Sequence, residues 1–150
     1  MTPAVQAAKR AGIDFRLHEY EGVEVGDGDY AVAVAAALGQ PPGRLFKTLV
    51  ASVDGTLAVF VVPADRQLDL RAAGKRVTLA GRAEAERATG YVVGGISPLG
   101  QRKRLPTTVD ASALEWETIL VSAGRRGLQI ELAPADLIAL TGASIAGIAK

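Results

Sequence analysis

Cysteine is absent from this chain of 150 residues, and its one histidine is His18. The lack of cysteine excludes disulfide bonds, thiolate metal sites and a cysteine nucleophile. A Ser-His-Asp triad would depend on His18, which alternation places on the polar face of a predicted strand, where a hydrogen-bonded surface histidine is typical. No HExxH pattern, paired histidines or spaced carboxylate cluster indicates a metal site. We therefore expect no metal and no cofactor.

The chain also lacks a large charge excess and long apolar runs. Its formal net charge is +1, from 17 basic and 16 acidic residues, so any contact with nucleic acid should be confined to a basic patch. Apolar runs such as residues 31–38 and 57–63 are far shorter than the roughly 20 residues of a membrane-spanning helix. No secretory segment opens the chain. We expect a soluble, cytoplasmic protein without membrane contact.

Length and a hydrophobic content of 49% predict one domain over residues 1–150, and its interspersed helix and strand patterns predict the α+β class. The patterns predict helices at residues 3–11, 30–38, 68–73, 81–90 and 134–142, and a loop at 21–28. They predict strands at residues 13–20, 45–53, 56–62, 75–80, 91–96, 106–110, 118–122 and 128–132. Asp54-Gly55 is a strong hairpin turn. Because several strands pair locally, we expect a curved, mixed or largely antiparallel sheet or a partial barrel, surrounded by helices.

The segment from Gly90 to Pro106 combines glycines with a run of three cations. Gly94 and Gly95 would let a ligand approach main-chain N–H groups, and the basic run would attract an anion such as an RNA phosphodiester. This basic run consists of Arg102, Lys103 and Arg104. The alternative is an ordinary glycine-rich turn followed by a solvated basic loop.

Lys47 is the strongest side-chain candidate for chemistry. It lies near the start of a predicted strand, on the same face as Leu45, Leu49 and Ala51. Its ammonium either extends into solvent at the sheet edge or points into a pocket where it stabilises negative charge. Tyr20 and Tyr30 could form aromatic pocket walls, although core packing is the alternative for each.

Several segments, in order along the whole chain, carry a family resemblance. They are residues 1–5, Phe46-Lys47-Thr48-Leu49, Gln67-Leu68-Asp69-Leu70, residues 89–106 and residues 122–132. The chain resembles the YbaK/EbsC family of freestanding trans-editing proteins, which is similar to the editing domain of bacterial prolyl-tRNA synthetase. The pattern Tyr-x-Val-Gly-Gly-Ile-Ser-Pro-x-Gly at residues 91–100 resembles the YbaK branch, which acts as a cysteinyl-tRNA(Pro) deacylase.

The resemblance implies a mechanism without an enzyme nucleophile, in which the thiol of the cysteinyl substrate attacks its own ester carbonyl. Lys47 is then the functional lysine, which contacts either the phosphate of the 3′-terminal adenosine or the substrate carbonyl. Gly94 and Gly95 form the backbone wall against the aminoacyl group. The basic run would meet the acceptor stem. The substrate-binding residues implied are Tyr20, Tyr30, Thr48, Ile96, Ser97, Ser122 and Gln129.

Gln129 is a departure from the family, which has an aspartate in this stretch. The neutral amide still forms hydrogen bonds but does not attract a cation as a carboxylate does, so we expect substrate choice or rate to differ from the family's. The alternative for Gln129 is an exposed strand residue without a function.

Three hypotheses follow. The favoured one is a deacylase for cysteine on tRNA(Pro), with tRNA(Cys) as a further acceptor. The second is an editing enzyme for another small amino acid, such as alanine, that uses water attack. The third is a non-catalytic RNA- or nucleotide-binding module. Expected partners are the aminoacyl-tRNA acceptor end and prolyl-tRNA synthetase in a ternary complex, with the protein itself a monomer.

Overall fold

The structure is a computed structural model that describes residues 1–24 and 29–150. Its helices are α1 (Pro3–Ala11), α2 (Tyr30–Ala37), α3 (Leu70–Ala73), α4 (Arg82–Thr89) and α5 (Pro134–Thr141), with a 3-10 helix at Ala111–Glu115. Its strands are β1 (Phe15–Glu19), β2 (Phe46–Val53), β3 (Thr56–Pro63), β4 (Val77–Leu79), β5 (Thr107–Asp110), β6 (Ile119–Arg125), β7 (Leu128–Leu132) and β8 (Ser144–Ala146). The predicted α+β class is confirmed. The predicted loop at 21–28 falls partly outside the described residues.

The strands form two sheets that do not close into a barrel. One is antiparallel, in the order β1-β7-β6; the other is mixed, in the order β4-β2-β3-β5-β8, with β5 parallel to both neighbours. An isolated parallel bridge between Leu45 and Leu120 brings the start of β2 beside β6. This junction connects the two sheets where Lys47 lies, two residues further along.

Local signals in the sequence explain most element boundaries. The Thr2 hydroxyl accepts a hydrogen bond from the Val5 N–H at 3.2 Å and caps α1, which ends at Gly12 with φ 69°. Asp54 and Gly55 adopt φ values of 50° and 88°, as a type I′ turn requires, and they join β2 to β3. These signals confirm the predicted first helix and hairpin.

The main core lies between the two sheets and is covered by α1 and α5. It contains apolar residues of both sheets, including Phe46, Val61 and Ile130, all nearly inaccessible to solvent. A second cluster on the other face of the five-stranded sheet includes Ala51 and Phe60. Strand β2 is therefore apolar on both faces, and Lys47 interrupts this pattern. Ala35 of α2 is fully buried in a third cluster, which accounts for the alanine-rich sequence of that helix.

The predicted strand at residues 91–96 is wrong. This segment is a loop in which the Gly95 N–H donates to the Val92 carbonyl at 2.9 Å, and Gly94 has a φ of 93°. The buried Tyr91 donates its hydroxyl to the Leu99 carbonyl at 2.6 Å instead of facing a neighbouring strand. Strand β8 was not predicted, because its three residues carry little periodic signal and pair in parallel with β5.

Candidate active site

A cavity of about 290 Å³ lies where β2, α4, the 91–96 loop and the β6–β7 pair meet. Seven of the residues predicted from the sequence line it: Tyr30, Lys47, Thr48, Gly94, Ile96, Ser122 and Gln129. These residues come from five separate segments of the chain. The remaining walls are largely apolar and include Leu49, Leu79 and Ala85.

Lys47 is half-buried, and its Nζ lies 3.4 Å from the Ala64 carbonyl, to which it donates. Burial lowers the pKa of Lys47, while the negative charges of Asp65 and Asp29 partly oppose that shift. An ammonium that has lost part of its hydration interacts more strongly with an anion than one in bulk water does. The position of Lys47 in the cavity therefore suits the stabilisation of negative charge.

Two tyrosine hydroxyls meet at the edge of the cavity. The Tyr20 and Tyr30 oxygens lie 2.9 Å apart, and the Tyr20 N–H donates to the Gly127 carbonyl at 3.0 Å. Burial raises the pKa of Tyr30 strongly, and the bond to Tyr20 adds to the shift. Tyr30 lines the cavity, whereas Tyr20 does not line it and contacts Tyr30 through this hydrogen bond. The Tyr30 phenol thus stays protonated and can donate one hydrogen bond.

Thr48 and Gln129 present buried polar atoms to the cavity wall. The Thr48 Oγ1 and the Gln129 Oε1 have no hydrogen-bond partner among the described residues. Gln129 is only 5% exposed, which contradicts its interpretation as an exposed strand residue. Because an unpaired buried polar atom costs free energy, these two atoms are well suited to bind a polar ligand. Ser122, opposite Gln129 in the sheet, uses its hydroxyl oxygen to accept from the Gly124 N–H at 3.2 Å.

His18 belongs to a separate polar cluster and does not line the cavity. Its Nε2 lies 2.7 Å from Oε1 of Glu131, whose other oxygen accepts from Arg44 at 2.9 Å and from Thr118 at 2.8 Å. Burial alone would raise the pKa of Glu131, but these hydrogen bonds and the Arg44 charge lower it overall. The cluster satisfies its own groups and ties β1, β7 and the start of β2 together.

The loop at residues 91–97 contributes only part of its predicted set to the cavity. Gly94 and Ile96 line the wall, whereas Gly95 and Ser97 do not. A Cβ on Gly95 would lie 2.7 Å from the Arg125 Cα, so this glycine serves close packing against the β6–β7 turn. Ser97 is fully buried, and its Oγ accepts from the Leu99 N–H at 3.2 Å. Both residues therefore serve the packing of the loop rather than the cavity wall.

The basic run lies at the other end of α4 from the cavity. The Arg102 and Lys103 N–H groups donate to the carbonyls of Thr89 and Ala88, at 2.9 and 3.1 Å, whereas Arg82 and Ala85 of the same helix line the cavity. Seven residues of α-helix span about 10 Å, so the basic run lies about 10 Å along the helix axis from Arg82. Arg102, Lys103 and Arg104 are all solvent-exposed.

Sequence reasoning missed three charged residues near the cavity. Arg82 lines it directly, and Glu86 and Arg126 bind the backbone of Val93. The spacing of Arg82 and Glu86 on the predicted helix indicates an ion pair, which the structure has at 3.4 Å. Nothing in the sequence indicates that Glu86 or Arg126 reaches Val93, because these contacts depend on how three segments pack.

None of the helices in the described ranges is long and apolar enough to cross a membrane.

Comparison with known proteins bears out the family resemblance. The chain is 37% identical over 153 aligned positions to EbsC of Enterococcus faecalis, provisionally named a Cys-tRNA(Pro)/Cys-tRNA(Cys) deacylase; the match covers 98% of this chain and 92% of EbsC. Two solved structures have the same fold. One, described provisionally as a trans-editing enzyme for prolyl-tRNA synthetase, has a TM-score of 0.84 at 25% identity, covering 100% of this chain and 99% of the other. The second, a hypothetical protein, has a TM-score of 0.87 at 27% identity, covering 99% of each chain. Residues 26–140 match the family model of the aminoacyl-tRNA editing domain, and the chain belongs to this family of aminoacyl-tRNA deacylases.

Proposed function

We propose that residues 1–150 form one editing domain that removes cysteine from mischarged Cys-tRNA(Pro), and also from Cys-tRNA(Cys), in the cytoplasm. The name of the EbsC relative supports this substrate class. The observation that carries the proposal is a cavity that holds a partly desolvated lysine but no activated nucleophile among its described lining residues.

The side chains at the cavity favour a nucleophile supplied by the substrate. A serine or threonine nucleophile needs an adjacent base, yet the Thr48 hydroxyl has no partner within the described ranges and the Ser122 oxygen is engaged by a backbone N–H. A cysteinyl ester carries its own thiol, whose sulfur is joined to the ester carbonyl carbon through Cβ and Cα. The sulfur is therefore within reach of an intramolecular attack on that carbon. Such proximity is worth about 7–11 kcal/mol in well-aligned cases.

The proposed step begins when the substrate sulfur attacks the ester carbonyl carbon and forms a C–S bond. The carbonyl oxygen becomes an oxyanion, which the Lys47 ammonium and the Gly94 N–H stabilise. The C–O bond to the terminal ribose then breaks, and the ribose oxygen takes up the proton that the thiol has lost. The products are a thiolactone and free tRNA.

The other lining groups hold the aminoacyl end in place. The Gln129 Oε1 accepts a hydrogen bond from the substrate amino group, and the Thr48 hydroxyl pairs with a polar group of the ester or the ribose. Tyr30, supported by Tyr20, forms the opposite wall. The basic run contacts phosphates of the acceptor stem.

Prolyl-tRNA synthetase is the proposed partner. The formal net charge of +1 implies weak intrinsic affinity for tRNA, and a ternary complex would raise the effective concentration of the substrate. Addition of the synthetase under dilute, multiple-turnover conditions should therefore raise the editing rate. An unchanged rate would refute the partnership.

Single-turnover deacylation of cysteinyl-, seryl- and alanyl-tRNA(Pro) tests the proposed function. We expect rapid loss of the cysteinyl ester only. Loss of the alanyl ester at a similar rate would indicate water attack and refute the thiol mechanism. Binding of the tRNA without loss of any ester would refute the enzymatic function.

A further inference from the structure

Val93 is held at both its backbone groups by charged side chains from two other elements. Its N–H donates to Oε2 of Glu86, on α4, at 2.8 Å. Its carbonyl accepts from Nε and Nη2 of Arg126, in the β6–β7 turn, at 3.0 and 2.8 Å. Val93 and Gly94 both line the cavity. The loop is therefore fixed from two sides at the residue that precedes Gly94.

Both contacts involve a charged group, which makes them stronger than neutral hydrogen bonds. The bond from the Val93 N–H is the largest cause of a lowered pKa at Glu86, and the positive charges of Arg82 and Arg126 contribute in the same direction. Glu86 therefore stays ionised at neutral pH. Arg126 keeps its charge at every working pH.

The geometry of the peptide bond means that the contacts to Val93 also orient the N–H of Gly94. The Val93–Gly94 peptide is trans, so its C=O and N–H point in opposite directions. Arg126 fixes the direction of the Val93 carbonyl and hence the opposite direction of the Gly94 N–H. In residues 1–24 and 29–150, no group accepts a hydrogen bond from that N–H. The turn closed between Val92 and Gly95 needs a positive φ at Gly94, which is 93°.

We propose that Glu86 and Arg126 are positioning residues for ester cleavage, because together they hold the Val93–Gly94 peptide so that the Gly94 N–H donates to the carbonyl oxygen of the aminoacyl ester. Neither side chain touches the ester in this arrangement. The inference rests on the proposed deacylase function. It adds two residues from outside the glycine-containing loop to the machinery of the reaction.

The test compares Arg126→Gln and Glu86→Ala with matched controls. Arg125→Gln removes the same charge at the end of β6, where the Arg125 side chain contacts Glu19 and the Arg126 carbonyl rather than Val93. Glu84→Ala removes the same charge from α4 as Glu86→Ala does. Single-turnover kinetics with cysteinyl-tRNA(Pro) give the maximal rate and the half-saturating concentration. We expect the maximal rate to fall about 10- to 100-fold in the two test variants, with half-saturation unchanged, and the controls to match wild type. The maximal rate of Arg126→Lys should be at least about tenfold lower than that of wild type, since one ammonium does not reproduce the planar pair of N–H donors.

Three results would overturn the proposal. If Arg126→Gln kept the wild-type maximal rate but had a higher half-saturating tRNA concentration and a reduced salt dependence, Arg126 would be a phosphate contact. Full activity in Arg126→Lys would show that charge alone matters. Equal losses in the Arg125→Gln control would show a general effect of the turn.

Amide hydrogen exchange separates this proposal from the proposed function. We expect the Val93 amide to exchange at least about tenfold faster in Glu86→Ala, which removes the acceptor of its hydrogen bond, with the thermal unfolding midpoint near that of wild type. This readout needs no substrate. If wild type cleaved no ester while the Val93 amide of the Glu86 variant lost protection, the deacylase function would be refuted but the anchoring of the loop would stand. Unchanged protection in the variant would refute the anchoring itself.

Discussion

Replacement of Lys47 by methionine should separate catalysis from stability. Methionine keeps the length of the side chain and removes the charge. An ammonium about 4 Å from an oxyanion contributes about 4 kcal/mol at an effective dielectric constant of 20, against about 1 kcal/mol in water. The difference of about 3 kcal/mol corresponds to a loss of roughly a hundredfold in the single-turnover rate.

The same substitution should not destabilise the protein. Because burial lowers the pKa of Lys47, the folded state disfavours the ammonium relative to the unfolded state. The resulting cost to stability is present below the folded-state pKa and disappears as the pH rises toward the ordinary value of 10.5. Lys47→Met should therefore unfold at the same temperature as wild type or higher at pH 7.

The pH dependence of the rate provides a second readout. In wild type, the rate should rise with pH as the substrate thiol ionises, near its ordinary pKa of about 8.5. At still higher pH the rate should fall as Lys47 loses its proton, and this fall should begin before pH 10.5 because the pKa of Lys47 is lowered. Lys47→Met should lack the falling limb. Lys75→Met, which removes an exposed lysine outside the cavity, is the control. A variant with wild-type activity, or one that loses activity only through unfolding, would refute the assigned role of Lys47.

Three further predictions concern the cavity wall, the loop and the basic run. Gln129→Leu should raise the free energy of unfolding by about 1 kcal/mol in urea titrations, since it removes an unpaired buried oxygen, while it slows deacylation; a loss of stability would show that this oxygen is satisfied in solution. Gly95→Ala should cost about 1–3 kcal/mol and lower the unfolding midpoint in calorimetry by several degrees, because its Cβ would lie 2.7 Å from the Arg125 backbone. A midpoint equal to wild type would contradict that packing. Neutralisation of residues 102–104 with glutamine should weaken half-saturation by tRNA and flatten its salt dependence with the maximal rate unchanged, and an unaltered salt dependence would exclude phosphate contacts by this run.

Local sequence signals were sufficient for most of the fold. Capping residues, glycine stops and the Asp54-Gly55 turn act within a few residues, so they identify α1 and the β2–β3 hairpin before any tertiary contact is known. The 91–96 loop was predicted as a strand because its apolar residues resemble one. Its backbone is instead determined by long-range contacts, with Glu86 and with Arg126, that no local pattern encodes.

The candidate site was partly predictable for the same reason. Lys47 is conspicuous as a charge within an apolar strand, and Gln129 as a departure from the family pattern. Burial of Gln129 follows only from the position of β7 between β1 and β6, with α2 packed nearby. Arg82 was missed because an exposed helical arginine paired with Glu86 resembles an ordinary surface ion pair.

The central claim is that the substrate supplies the nucleophile, and a comparison of two nearly isosteric esters tests it most directly. Cysteinyl-tRNA(Pro) and 2-aminobutyryl-tRNA(Pro) differ only in a thiol against a methyl group. We predict that the two esters bind the wild-type protein with equal affinity in a competition measurement. We predict that only the cysteinyl ester is cleaved under single-turnover conditions. Cleavage of the 2-aminobutyryl ester at a comparable rate would contradict it, because that substrate has no sulfur to attack its own carbonyl.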